Sequence, residues 1–339
     1  MTLLSRIYFN AVYGALGGLL GWLLFGVFGE KLVGGQLPAA DADGSGLPLE
    51  REFLYQRILG LALNREQANW VLGGFLIGGM IGFFVVSVEA IRDQSLMRFA
   101  RLATYGFILG AIGGAIGIVF AEYIHYLAVR IAGSSFVVEI LARGLAWSLL
   151  GVAIGMSEGI AARSLGKFSY GTLGGAIGGF VGGCLFMIFY EITLRSGSTT
   201  YLGNALGLVI MGACIGSLSA LVQAVFQPAC VKVLRGWQEG REYPLDKALS
   251  LLGRDEHADI ALFRDMKVEK KHAFIKRDQA HYVLVNNGAP AEFTLVNDLP
   301  VAQTKELQEG DRIQLGNVLL RFHMRSAANR NRERRRAGG

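Results

Sequence analysis

The chain has 339 residues, 52% of them hydrophobic, with a positive mean hydropathy and a formal net charge of +6. That length leaves room for two or three domains, and the composition is too apolar for an ordinary soluble protein. The three cysteines, Cys184, Cys214 and Cys230, give no disulfide framework, and the charge is not spread evenly, because the sequence before about Gln227 is apolar and the remainder is dense in both signs.

The first apolar run, Tyr8 to Gly29, is about twice as long as a signal-peptide core. The one Ala-x-Ala-like site, Ala40 to Ala42, lies well past its end, so the run reads as a retained helix. A polar segment from Glu30 to Glu66 follows and includes an amphipathic stretch over 49–63, suited to a membrane surface. Five more apolar runs complete six predicted spans at about 8–29, 67–91, 103–127, 137–158, 168–194 and 203–227. Some twenty apolar residues rising about 1.5 Å each cross a hydrocarbon core of roughly 30 Å.

The spans resemble one another. Tyr13-Gly14, Tyr105-Gly106 and Tyr170-Gly171 open the odd-numbered helices, which close on the acids Glu30, Glu122 and Glu191. Trp70 and Trp147 precede similar Gly-rich text in two even-numbered helices. A helix hairpin repeated three times is the expected membrane domain, residues 1–228. In the fifth span Gly171, Gly175, Gly179 and Gly183, with Gly174, Gly178 and Gly182, form a stripe free of side chains, a glycine zipper that lets helix backbones approach.

Lys and Arg near the span ends place both termini in the cytoplasm of a bacterium, with the chain in its inner membrane. Ionisable residues inside spans are costly and often functional. Glu122, Glu158 and Glu191, with His125 and Arg143 nearby, either line a path for cations or stand at helix ends facing water, and counting from each Tyr-Gly favours helix ends for Glu122 and Glu191.

From Val231 the pattern changes to eight or nine short strands separated by turns such as Asn287-Gly288 and Glu309-Gly310-Asp311, which predicts an antiparallel β-sandwich over 229–325. Five motifs in series then resemble the forkhead-associated (FHA) domain: Leu252-Gly253-Arg254, Asp259-Ile260, Val268 to Ala273, Thr294 to Asn297, and Leu307 to Gly316. A repeated six-span region followed by one such domain is also similar in layout to a bacterial membrane-protein family.

The resemblance implies a phosphothreonine-peptide site in the loops at one end of the sandwich. It assigns Arg254, Lys270, Lys271 and Thr294 to peptide contact, and Gly253, Glu269, His272 and Asn297 to support of the loops. A guanidinium suits a phosphate dianion through paired, charge-assisted hydrogen bonds. Two departures stand out. Glu269 occupies the position of a family serine, and Ala291-Glu292-Phe293 precedes Thr294 where the family has Asn-Gly. Three readings of the polar third stay open: a phosphothreonine reader, a degenerate FHA domain holding an unphosphorylated partner, and a module that only stabilises the fold.

The tail 326–339 is arginine-rich and reads as disordered, suited to anionic lipid at about 1 kcal/mol per cation. It lacks the interleaved aromatics of a nucleic-acid binder. No phosphate-cradling loop, metal-spaced cluster or Gly-x-Ser-x-Gly elbow is present, so neither an enzyme nor a cofactor is expected. The sequence thus predicts a non-enzymatic adaptor whose bilayer-embedded helices anchor an FHA domain for a cytoplasmic protein, phosphorylated on threonine or not. Self-assembly through exposed glycine stripes is a further partner reading. The alternative is a small transporter or channel regulated by its FHA domain.

Overall fold

The computed structural model describes residues 3–32, 65–93, 96–133, 135–196, 200–255, 257–278 and 281–324. The amphipathic stretch 49–63 and the arginine-rich tail lie outside the described residues. The chain divides into two compact units, one of helices within residues 7–162 and 168–222, and one comprising residues 223–339 with 1–6 and 163–167.

The helices are α1 (Leu3–Leu32), α2 (Arg65–Asp93), α3 (Leu96–Ala132), α4 (Phe136–Ala162), α5 (Leu165–Arg195) and α6 (Thr200–Phe226). All six carry a stretch long and apolar enough to cross a membrane. Tyr13-Gly14, Tyr105-Gly106 and Tyr170-Gly171 lie about one to three turns inside their helices instead of opening them, because helical turns precede each apolar run. Short links join consecutive helices from α2 onward. Gly133, at φ +78°, follows α3, and the Val138 N–H donates to Ser135 Oγ at 3.4 Å at the start of α4. Arg163, at φ +52°, follows α4, and the Lys167 N–H donates to Ser164 Oγ at 3.2 Å to cap α5.

Glycine sets the helix spacing. A Cβ added at Gly74, Gly78 or Gly82 of α2 would run into the carbonyl of Gly114, Gly110 or Gly106 of α3, and the collision is reciprocal. Gly151 and Gly155 of α4 stand in the same relation to Gly175 and Gly171 of α5, and Gly212 of α6 to Gly14 of α1. The two glycine sets of α5 do not share one face: Gly171, Gly175 and Gly179 meet α4, whereas Gly174, Gly178 and Gly182 meet Ser219, Ile215 and Met211 of α6. Likewise Gly14 and Gly18 of α1 meet α6, while Gly17 and Gly21 meet Ile81 and Ile77 of α2. Each of these helices is wedged between two others at backbone contact. Trp70 and Trp147, alike in sequence, differ by a turn in this packing, since the Trp147 carbonyl faces Gly179 as the Gly74 carbonyl faces Gly114.

Large side chains fill the space between the stripes. Ile77 and Ile81 of α2, Leu150 and Ile154 of α4, and Met211 and Ile215 of α6 are buried together, while Ile108, Ile112 and Ile116 of α3 point outward. Gly110→Val places branched carbons where the Gly78 backbone lies, so it lowers bundle stability by about 1–3 kcal/mol. The exposed Ile112→Ala is near neutral. Denaturation of the purified protein in mixed micelles compares the two.

The second unit contains eleven strands among the described residues: β1 (Ala229–Arg235), β2 (Glu242–Pro244), β3 (Leu249–Gly253), β4 (Ile260–Ala261), β5 (Ala273–Asp278), β6 (His281–Asn286), β7 (Thr294–Val296), β8 (Leu299–Pro300), β9 (Thr304–Leu307), β10 (Arg312–Leu315) and β11 (Val318–Met324). They form two sheets, ordered β2-β1-β11-β10-β7-β8 and β4-β3-β5-β6-β9, with β3 and β4 the one parallel pair. Alternation places Val231, Val233, Leu252, Ile275, Leu284, Ile313, Leu320 and Phe322 in one core between the sheets. β1 pairs with β11 from Ala229 against Met324 to Arg235 against Leu319, so the first and last strands close the sandwich on each other.

Candidate functional site

The candidate site is built from the β3–β4, β4–β5 and β6–β7 connections. β3 ends at Gly253, whose missing side chain is required because a Cβ there would strike the Lys270 carbonyl. That approach lets the Arg254 N–H reach Glu269 O at 2.9 Å and the Asp255 N–H reach Lys270 O at 3.2 Å. Two loops far apart in sequence are thereby zipped by backbone bonds immediately behind the Arg254 side chain.

His272 ties in the third loop. Its ring is 0% exposed; Nδ1 accepts the Glu269 N–H at 3.1 Å, and Nε2 lies 3.0 Å from Thr294 Oγ1. Because Nδ1 accepts, the ring is neutral with its proton on Nε2, which donates to the threonine hydroxyl. Burial holds the imidazole pKa below its ordinary 6.5, outweighing nearby hydrogen bonding and the charges of Glu269 and Asp265. From the other side, Asn287 Nδ2 donates to Lys271 O at 2.9 Å and the Asn287 N–H to His272 O at 3.1 Å.

The charges sort themselves out. Asp259 accepts Lys247 Nζ at 2.6 Å and the Leu251 N–H at 2.9 Å. Asp255 accepts the His257 N–H at 2.8 Å and lies 3.0 Å from its ring. The His257 backbone and then its side chain hold the Asp255 carboxyl below the usual carboxylate range. Neither acid is an ion-pair partner of Arg254, whose Nη1 rests against the Met266 sulfur, a weak acceptor without charge. Glu269, Lys270 and Lys271 are exposed on the same loop.

Two assigned residues take other places. Thr294 is 0% exposed with its hydroxyl engaged by His272, so it braces the loops from within and offers a peptide no surface. Asn297, at φ +53°, supports different loops at the far end of β7: its Nδ2 donates to Asp311 Oδ1 at 2.8 Å, and its Oδ1 accepts the Arg312 N–H at 2.9 Å. Sequence reading missed Asn287, although the Asn-Gly pair was visible as a turn. It also missed the exposed Trp237, Arg264 and Met266, for which no motif gave a signal.

In the helical unit two of the candidate carboxylates, Glu158 and Glu191, lie far apart. Glu158 lies between Gly155 and Gly159, which face Gly171 and Phe168 in the first turns of α5. Glu191 is about 30 Å further along α5, paired with Arg195 at 2.8 Å in its last turn. The side chains of Glu30, Glu122 and His125 lie outside the described residues. Ser87 and Ser157, both wholly buried, donate back to the carbonyls of Phe83 and Ile154 in their own helices.

Comparison with known proteins bears on the sandwich. The family described as the inner membrane component of T3SS, cytoplasmic domain, matches residues 232–326. Similar solved structures include an FHA domain studied for phosphothreonine-dependent interactions, at 28% identity over 29% of this chain and 97% of its own, with a TM-score of 0.26. The FhaA FHA domain, solved in complex with the intracellular domain of another protein, is 28% identical over 28% of this chain and 99% of its own, with a TM-score of 0.26. A protein from Synechocystis is 26% identical over 29% of this chain and 97% of its own, with a TM-score of 0.27. No curated protein matches the chain. The C-terminal part is an FHA-like domain.

The buried imidazole sets a pH dependence. The unfolded chain takes up the His272 proton near 6.5 while the folded ring resists it, so between the two pKa values the unfolded state binds more protons. Stability of the sandwich therefore falls as the pH drops below about 6.5. His272→Gln removes that component. Denaturant midpoints at pH 7.5 and 5.5, followed by the far-ultraviolet β signal, should show a smaller difference between the two pH values in the variant than in the wild type.

Proposed function

We propose that the chain is a non-enzymatic adaptor of the bacterial inner membrane. Six helices, arranged as three repeated Gly-rich hairpins, anchor it with both termini in the cytoplasm, and the FHA-like domain recruits a cytoplasmic protein phosphorylated on threonine. The observation that carries this reading is the Arg254 guanidinium, borne on backbone-zipped loops while Asp259 and Asp255 are engaged with Lys247 and His257. A guanidinium without a carboxylate partner among the described residues is suited to a phosphate dianion. Exposed Lys270 and Lys271 add positive charge beside it, and exposed Glu269 opposes an incoming dianion.

The repeat is supported by the glycine contacts. The Tyr-Gly glycines Gly14, Gly106 and Gly171 each face a glycine of an even-numbered helix, Gly212, Gly82 and Gly155. The tightest approaches join α2 to α3, α4 to α5 and α6 to α1, so the packing units straddle the sequence hairpins. The matched family, described as an inner membrane component with a cytoplasmic domain, supports the cytoplasmic placement. The separation of Glu158 from Glu191 speaks against the transport alternative.

Titration of the full chain in nanodiscs with phosphothreonine peptides and their unphosphorylated twins tests the reading. Phosphate-dependent binding is expected, weakened by about 10- to 100-fold in Arg254→Ala and strengthened in Glu269→Ser, which replaces a repelling carboxylate with a hydroxyl donor. Equal binding of both peptides, or indifference to Arg254→Ala, would retire the phosphothreonine mechanism.

A further inference from the structure

The same end of the sandwich carries a second surface. In the β1–β2 connection Trp237 is 56% exposed, and the Arg264 guanidinium carbon lies 3.5 Å from its ring centroid. Arg264 adopts φ +67°, a left-handed conformation at a non-glycine residue. Met266, two residues on, is 79% exposed and touches Arg254. The residue between them, Asp265, is turned inward: its carboxylate accepts the Asn317 N–H at 2.6 Å, Asn317 Nδ2 at 3.2 Å and the Lys267 N–H at 3.1 Å. It is spent on fixing the β10–β11 turn. Lys267 lies over the Phe293 ring at 5.7 Å, and Arg235 Nε donates to the Asn317 carbonyl at 3.3 Å. Trp237, Arg264, Met266 and Arg254 thus form a contiguous ridge, with cations that have no carboxylate partner among the described residues.

We infer that this ridge is a second contact for the partner, and that it takes an acidic, unphosphorylated peptide segment carrying an apolar side chain. The inference rests on reading this end of the domain as the recruiting surface. A large exposed indole and a thioether offer apolar area that folding leaves uncovered. Trp and Arg are the residue types on which interface energy concentrates, and the stacked guanidinium is already positioned, so little side-chain entropy is lost on binding. Charge complementarity selects the partner, because Arg264, Arg254, Lys267 and Arg235 attract carboxylates. An anionic lipid surface shares that chemistry, yet a flat surface pressed on the loops would also meet the exposed Glu269 and the ionised Asp255, between which a peptide can pass.

The test uses the full chain in zwitterionic nanodiscs and a labelled twelve-residue peptide with glutamates flanking a single leucine. Its controls are a twin with serine for the leucine, a twin with lysines for the glutamates, and vesicles rich in phosphatidylserine. The ridge predicts binding of the acidic leucine peptide, weakened about tenfold by Trp237→Ala or Arg264→Glu and largely restored in Trp237→Phe. Loss of the leucine weakens binding, and reversal of the charges abolishes it. Failure of the acidic peptide to bind, equal binding by the lysine twin, indifference to both substitutions, or binding that appears with the vesicles only would each overturn the inference. The two readings fail separately. Phosphothreonine binding that needs Arg254 but ignores Trp237, with no affinity for the acidic peptide, removes the ridge and leaves the adaptor. Acidic-peptide binding that needs Trp237, without any phosphate dependence at Arg254, keeps the ridge and removes the phosphothreonine mechanism.

Discussion

The loop end of the sandwich depends on a neutral imidazole buried among three loops. His272 accepts the Glu269 N–H, donates to Thr294 and, through its own backbone, bonds to Leu252 and Asn287. His272 and Thr294 are wholly buried, where an unmet donor or acceptor costs about 1–3 kcal/mol. The geometry of Gly253, Arg254 and the 269–271 segment therefore holds together or is lost together. The backbone that carries Arg254 is thus positioned before any partner arrives, which lowers the ordering cost of binding. The exposed lysines beside it are not so fixed; they contribute charge more than shape.

The two units solve the problem of burial differently. In the sandwich, apolar side chains from both sheets fill one core, and its stability comes from area removed from water. In the helical unit, glycine removes side chains from the contact, so backbones meet through dispersion over long lines of close approach. That difference fits two surroundings. Where the neighbouring medium is hydrocarbon, burying leucine gains little and close packing of backbones gains more. Intervals of three and four residues place the stripes of α1 and α5 on two faces, which is why each of these helices packs against two neighbours.

Much of this was legible in the sequence. Six apolar runs gave six helices, and period-two patterning with turn dipeptides gave the sandwich, because both signals are local and chemical. Two strands escaped notice: Leu299–Pro300 is two residues long and includes a proline, and Thr304–Leu307 is a polar edge with a single buried side chain. The Gly253-Arg254 pair and His272 could be read as a constellation, but whether Thr294 faces a peptide or the imidazole depends on burial, which no spacing reveals. The partner of Asp259 was equally hidden, since Lys247 reaches it only once the strands are in register, whereas Asp255 is held by a local turn to His257 two residues on. The Trp237 ridge joins residues from two connections that share no motif, and only folding brings them together. The one-turn difference between Trp70 and Trp147 is of the same kind, set by which carbonyl each glycine meets.

The central claim is that a phosphorylated partner seats on the loops braced by His272. Hydrogen–deuterium exchange on the full chain in nanodiscs, with and without a saturating phosphothreonine peptide, tests it most directly. The account predicts slowed exchange at the amides of 253–255 and 269–272, with the outer strands of the sandwich unchanged. Protection confined to other surfaces of the domain, or none at saturation, would contradict it.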